Sequence, residues 1–487
     1  MLTDILRRDG MIATRGFNSE PDVVTQLSRT MKIWLKLSAL ERTLLNGTNA
    51  MQVARKTFLP RHSLEEREAY LNRLRMSVLF NAYAKTVSFL TGLVFQTDII
   101  LSEAIEEDVK KWTEGINKKG DSINVFSRSV FFNGIAKGST NIFIDMPIKD
   151  ESIKTVKDEK EAGLRPYFKQ VRTEDILGFQ VDENGELIQV RFLETTTERN
   201  GKYGSKLIVR VRVLNQGSWE LHEITDNGGS ELKSSGSFSI KKVPFVTYLP
   251  GKEWSAITGE TPIKDLAELN GKHWRSSSDQ TNILHIARVP ILFGRQIDLE
   301  VLKASVSSMI SADGENSDLK YVEHTGAAIA AGERDIKEIE AQMALYGLQQ
   351  LVPRTGSMTA TEKRITSSEA NSSLGAWALD FDKFMNRAFT IAAEFMEKDF
   401  PIDGITTNKE YNLGVVDTEE LNALLLMNKQ GILTAEETFN EIRRRGVIND
   451  KLEWLDMEEA REKEKQDSID LAGMFGNTTK EENNDGS

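Results

Sequence analysis

The residues reactive enough for chemistry are few, and their spacing gives them little to do. A loop that cradles nucleotide phosphates needs Gly-x-x-x-x-Gly-Lys-Ser/Thr, because the lysine reaches the phosphates and the hydroxyl holds magnesium. The closest approach runs from Gly115 through Lys118, Lys119 and Gly120 to Asp121 and Ser122. Aspartate stands where the lysine must be, and no strand leads in, so the segment reads as a turn between helices. The five histidines, His62, His222, His273, His285 and His324, form no pair at metal-ligand spacing. His273 and His285 fall twelve residues apart on one predicted helix, too far to share an ion. Cysteine is absent, which removes disulfides, thiolate metal sites and thiol nucleophiles and suits a reducing compartment. No Gly-x-Ser-x-Gly elbow occurs. Carboxylates are plentiful, but most read as solvated surface. No enzymatic activity, metal or cofactor is expected from these residues.

One basic group could meet a polyanion. Arg354, Lys363 and Arg364 cluster just before a long periodic run; the plainer reading is a helix entrance with solvated charges. Arg443, Arg444 and Arg445 are more simply explained by the negative end of a helix dipole.

The elements that would position such residues follow from composition and period. A chain of 487 residues can hold about three ordinary domains. With 39% hydrophobic and 28% charged residues it is expected to fold into a soluble core. The first residues lack the charged-then-apolar pattern of a signal peptide. Residues 76–96 are long enough to cross a bilayer, but Asn81, Lys85, Thr86 and Thr91 favour a half-buried soluble helix. The net charge is −12, yet residues 1–98 carry +5 and residues 455–487 carry −6. A tight DNA binder neutralises phosphates with Lys and Arg, so any DNA contact here must be weak or local.

Four stretches are predicted. Residues 1–146 read as mostly helical, with a capping box at Ser63-Leu64-Glu65-Glu66 ahead of Leu71, Leu74, Val78, Tyr83, Val87 and Leu90 at near-helical spacing. Further helices are expected over 103–114 and over 123–132, stopped by Asn133-Gly134, with a strand at 140–145. Residues 165–250 read as an antiparallel meander punctuated by Asn184-Gly185, Asn200-Gly201 and Asn227-Gly228. Thr261-Pro262 opens a helix to Ala287. Its polar middle, 275–281, either lets other helices approach closely while wet or frays. A mixed segment, 289–331, and a helix over 335–351 follow. Leu374, Trp377, Phe381, Phe384, Ala388, Ile391 and Phe395 then repeat on one face of a helix over about 359–398. At 1.5 Å per residue that helix is roughly 60 Å long, which is commoner in assemblies than in compact monomers. Thr434-Ala435-Glu436-Glu437 caps a later helix, and residues after 466 have the composition of disorder.

Three segments, in this order and spacing, resemble a subgroup of tailed-bacteriophage portal (head-tail connector) proteins catalogued as a domain of unknown function. The first comprises Trp34, Gly47-Thr48, Phe58-Leu59-Pro60-Arg61, Glu66, Tyr70, Arg73-Leu74 and Asn81. The second is Thr359-Ala360-Thr361-Glu362-Lys363-Arg364 running into Ser372, Ser373 and Leu374. The third is Leu433-Thr434-Ala435-Glu436-Glu437-Thr438 followed by Arg444, Arg445 and Gly446. The likeness covers most of the chain apart from about the first 25 residues and the tail.

The resemblance implies an α+β portal fold: a wing over 1–255 with the meander at 165–250, a stem helix over 261–287, a clip over 289–331 and a second stem helix over 333–351. It further implies a tunnel loop over 352–364, a long kinked helix over 365–398, an α-helical crown over 400–465 and a disordered acidic tail over 466–487. The implied role is a homo-oligomeric ring, a dodecamer, at one capsid vertex, through which double-stranded DNA is packaged and ejected. Its implied partners are terminase, head-completion or adaptor and tail proteins, and capsid and scaffold proteins. It would be assembled in the host bacterial cytoplasm and end in the virion, with no membrane contact. Arg354, Lys363 and Arg364 would then face the DNA. Another virion ring protein, an adaptor or baseplate component, is the alternative; a nucleic-acid-processing enzyme is the remoter one.

Overall fold

The computed structural model describes residues 23–147, 164–225, 229–287, 291–295, 318–322, 326–348, 360–409, 411, 418–444, 448 and 452–476. The chain forms two compact units, Met1–Lys409 and Glu410–Ser487, and the fold is α+β.

The first unit opens with helices α1 (Arg29–Leu37), α2 (Ala39–Leu45), α3 (Gly47–Ala54), α4 (Arg67–Met76) and α5 (Ala82–Val94). Ser28 caps α1 by accepting from the Met31 amide at 3.4 Å. The expected capping box at Ser63 does not form: α4 starts at Arg67, its N-cap Glu66 makes no side-chain cap bond, and Glu65 turns to Arg73. Nor do 71–90 form one helix. The chain breaks between Met76 and Ala82, where Asn81 caps α5 by accepting from the Ala84 amide at 3.1 Å. Val78 is left exposed in the break.

Strand β1 (Ile100–Leu101) precedes a single turn, α6 (Glu107–Lys110), which tightens into a 3₁₀ turn, Lys111–Gly115, in place of the helix expected over 103–114. Helix α7 (Ile123–Lys137) runs through Asn133-Gly134 and ends at Gly138, left-handed at φ 75°. Gly134 is there for packing: a Cβ on it would lie 2.4 Å from the Tyr248 ring. Strands β2 (Thr140–Asp145) and β3 (Tyr167–Val171) follow.

Strands β4 (Ile176–Val181), β5 (Leu187–Asn200), β6 (Gly204–Asn215), β7 (Ser218–Ile224) and β8 (Ser230–Ser237) pair in that order, each antiparallel to the next. Asn184-Gly185 and Asn200-Gly201 make the first two turns, with Gly185 and Gly201 at φ 85° and 72°. Gln216-Gly217 makes the third without an asparagine; Asn227-Gly228 lies outside the described residues. The β5–β6 pairing continues to Asn200↔Gly204, whereas β4 stops at Phe192 and β7 at Arg210. The last turns of the hairpin are thus a ribbon of two strands.

Strand β9 (Phe245–Tyr248) completes a three-stranded sheet ordered β3-β2-β9. Met31, Trp34, Phe143, Phe192, Leu214 and Phe245 fuse the two sheets and α1 into one core. Next come helix α8 (Lys264–Ala287), the antiparallel pair β10 (Ile291–Arg295) and β11 (Asp318–Val322), and helix α9 (Ala327–Met343), which ends in a π-helical turn, Ala344–Leu348. Helix α10 (Ala360–Phe395) buries Leu374, Phe381, Phe384, Ala388, Ile391 and Phe395. The stripe packs inside this unit: Phe381 meets Phe131 and Tyr248 edge-on at 5.4 and 5.2 Å, and Phe389 meets Phe168 at 4.7 Å. Strand β12 (Ile405–Thr406) pairs with β1.

The second unit holds α11 (Thr418–Lys429), α12 (Ala435–Arg444) and α13 (Trp454–Gly476). Here the expected capping box is complete. The Thr434 hydroxyl accepts from the Glu437 amide at 3.1 Å, and the Glu437 carboxylate accepts from the Thr434 amide at 2.8 Å. Helix α13 continues to Gly476, past the point where the composition suggests disorder; residues 477–487 lie outside the described ones.

Candidate functional site

The seat of α8 draws together contacts from distant parts of the chain. Its first residues are trapped by backbone contacts that only glycine permits. A Cβ on Gly251 would fall 2.0 Å from the Glu260 carbonyl oxygen, and one on Gly138 2.4 Å from the Glu260 carbonyl carbon. The Thr261 hydroxyl donates to the Ile135 carbonyl at 2.6 Å and accepts from the Ile263 amide at 3.3 Å. Two turns on, fully buried Asn270 accepts from the Tyr83 amide at 2.9 Å and donates to the Phe80 carbonyl at 2.8 Å. That side chain pairs an amide at the start of α5 and a carbonyl in the interruption before it, and so ties the gap between α4 and α5 to α8.

A buried cation is the second fixture. The Arg73 side chain is 1% exposed. Its guanidinium grips both Glu65 oxygens at 2.7 and 2.8 Å and donates to the Pro60 carbonyl at 2.9 Å and to Asp279 of α8 at 3.0 Å. The Arg73 hydrogen bond, stronger than the burial that opposes it, holds the Glu65 carboxyl below the usual carboxylate range. Ser77 and Ser278 share a hydrogen bond at 2.8 Å beside it. His62 reaches Asp279 at 3.3 Å, so serine, histidine and aspartate lie together. They are not a catalytic triad. The serine hydroxyls bond each other rather than His62, and Asp279 is also held by Arg73.

The polar middle of α8 resolves in favour of close approach. Ser276 donates to Asp335 at 2.8 Å, Gln280 to the Ile329 carbonyl at 3.0 Å, and His273 bonds Glu340 at 3.2 Å. These contacts run up one helix and down the other, so α8 and α9 are antiparallel. Gly332 receives the Gln280 amide, which approaches within 2.0 Å of where a Cβ would be.

A second ionic cluster lies in the five-stranded sheet. Glu194, 8% exposed, takes Lys169 at 2.7 Å and Arg212 at 3.1 Å, while the Arg212 guanidinium lies over the Phe143 and Trp219 rings, 5.8 and 5.0 Å from their centres. Burial works against the Glu194 charge, but Arg212 and Lys169 outweigh it and hold the carboxyl below its ordinary range. Among the described residues no group of three His, Asp or Glu could hold a metal ion, and no helix is long and apolar enough to cross a membrane.

Of the sequence-predicted polyanion contacts, Arg354 lies outside the described residues. Lys363 and Arg364 fall on the first turns of α10 rather than in a loop, with only their helical backbone described. The phosphate-loop lookalike is a turn: Asn117 accepts from the Lys119 and Asp121 amides at 3.0 and 3.1 Å, and Ser122 caps α7. Arg73 stands in the first resembling segment, but nothing in the sequence gives it a role. Its partners lie 8 and 206 residues away, and no local period encodes them.

The family described as Domain of unknown function (DUF4055) matches residues 262–396, from the foot of α8 to the end of α10. No curated protein matches. Among solved structures, the neck of an empty GTA particle computed with C6 symmetry is similar at a TM-score of 0.43 and 10% identity, over 81% of this chain and 97% of that one. The neck of a native GTA particle computed with C12 symmetry gives 0.40 and 10%, over 80% and 96%.

Proposed function

We propose that this chain is the portal subunit of a tailed phage or phage-like particle. In this role it forms a twelvefold ring through which double-stranded DNA enters and leaves the head. The observation that carries the reading is one run of elements. Helices α8 and α9 form an antiparallel pair joined at one end by the β10–β11 pair, and a 36-residue helix follows. That order fits the stem, clip, stem and long-helix order of the portal plan, and it falls on the residues of the matched family. The order of the three resembling segments, the first and third of which lie outside the matched residues, also supports it.

In this reading the wing is residues 1–255 and the crown 400–465, and the stretch 352–364 with the first turns of α10 approaches the DNA. The net charge of −12 suits a wall that must let DNA slide. Low affinity for phosphate is what sliding needs, and like-charge repulsion provides it. Terminase would dock at the clip during filling and head-completion proteins afterwards. The chain acts as a structural ring and performs no catalysis of its own.

Negative-stain electron microscopy of the purified protein, with its mass in solution, tests this. Rings with a central hole and about twelvefold symmetry are expected, formed alone or on addition of scaffold protein. A compact dimer that binds nucleotide or hydrolyses it would overturn the assignment.

A further inference from the structure

Beneath the foot of α8, Ser38, Glu41, Lys137, Trp254 and Thr261 help enclose a cavity of about 10 Å³. Two of these residues bring polar atoms that are shut off from solvent and meet no protein partner, Glu41 Oε2 and Trp254 Nε1. Glu41 as a whole is 5% exposed. Two residues lining one small cavity thus carry an unsatisfied carboxyl oxygen and an unsatisfied indole N–H, complementary to a molecule that both accepts and donates. The volume is that of a single water.

The surrounding charges narrow the choice further. Lys264 and Glu268 come from α8, Glu260 from the turn before it and Lys137 from the end of α7. Lys264 is engaged by Glu260 at 3.2 Å and Lys137 by Glu174 at 2.7 Å. With Lys264 and Lys137 each paired to a glutamate, the lining offers no free cation to hold an anion, and the donating indole disfavours a cation. What remains is neutral and small.

We propose that the cavity is a site for one structural water, which accepts from the Trp254 indole and bonds an uncharged Glu41 carboxyl, so that the seat of α8 is tightest when Glu41 is protonated. Burial, the largest influence, holds the Glu41 carboxyl above its ordinary range. Its own backbone amide and Lys264 act against that, and Glu260 and Glu268 add to it. The sign follows from linkage. A carboxyl raised in the folded state favours folding below its unfolded value, and that contribution is lost as pH rises through the folded one.

The test is thermal unfolding of the full chain and of Glu41→Gln from pH 4.5 to pH 8.5. Glutamine keeps the shape and the hydrogen bonds but cannot ionise. The two melting temperatures should agree at the acid end. Glu41→Gln should then gain by about 1–3 °C toward the alkaline end, because a single carboxyl moves the melting temperature of so long a chain only slightly. Parallel curves would overturn the proposal. An experimental structure of the unmutated protein at about 2 Å gives an independent reading. A water within hydrogen-bond distance of both Trp254 Nε1 and Glu41 supports the site, whereas a Glu41 carboxylate paired directly with Lys264 refutes it.

Discussion

Arg73 holds both carboxylate oxygens of Glu65 while reaching across to Asp279, 206 residues further along the chain. This single guanidinium ties the 58–66 segment, α4 and α8 together. Arg73→Ala leaves Glu65 buried without its counter-ion, and breaking a buried pair from one side costs about 3–5 kcal/mol. Urea unfolding should show that loss. Arg73→Lys should recover little of it, because an ammonium cannot form the two-pronged bond.

Acid should weaken the protein through specific groups. Glu65 and Glu194 are held below their ordinary range by their arginine and lysine partners. A carboxyl lowered in the folded state stabilises above its unfolded value, and that stability is lost as pH falls through the folded one. Glu194→Gln should cost about 1–3 kcal/mol at pH 7. It should also flatten the decline in unfolding free energy below about pH 4.5, a change that chemical denaturation at several pH values would show.

Gly251 is predicted to tolerate no side chain. The atom that a Cβ would meet is a backbone oxygen, at 2.0 Å, and the backbone there is pinned by the Thr261 bond to Ile135. Gly251→Ala should cost about 1–3 kcal/mol by overpacking. Gly375, where nothing lies within 4 Å of an added Cβ, is the control, and alanine there should change the melting temperature by about a degree or less.

Charge reversal at Arg354, Lys363 and Arg364 tests the DNA-facing assignment separately from assembly. Rings should form as before, and the DNA content of assembled particles should change. Unaltered particle yield and genome content would remove these residues from the channel.

What can be read from the sequence is what is encoded locally. The Asn184-Gly185 and Asn200-Gly201 turns, the Thr434 capping box and the aromatic stripe of α10 each need only their neighbours in sequence, and each appears in the structure. Signals that serve distant partners mislead. Ser63 and Glu66 read as a capping box, but Glu66 makes no side-chain cap bond and its neighbour Glu65 answers to Arg73 and the His62 amide. Asn133-Gly134 reads as a helix stop, but its glycine makes room for Tyr248. The break between α4 and α5 depends on Asn270, nearly two hundred residues downstream, which no period in 71–90 could announce. At the seat of α8 the cap is legible, since Thr261 accepts from the Ile263 amide as its position ahead of Pro262 suggests, but the glycines, Ile135 and Tyr83 that hold it meet it only after folding.

The seating of Gln280 on Gly332, with Ser276 on Asp335 and His273 on Glu340, has a mechanical consequence. Two helices with smooth faces can slide past one another by a turn. These two are keyed at three levels, so slippage would have to break every key at once. Helix α8 is about 36 Å long, 24 residues at 1.5 Å each, and is keyed along its middle to the shorter α9, 17 residues long. Its near end is clamped at Thr261 and Asn270. A sideways push at the β10–β11 end would therefore act as a torque about Asn270 and Thr261, which meet Tyr83 and Ile135.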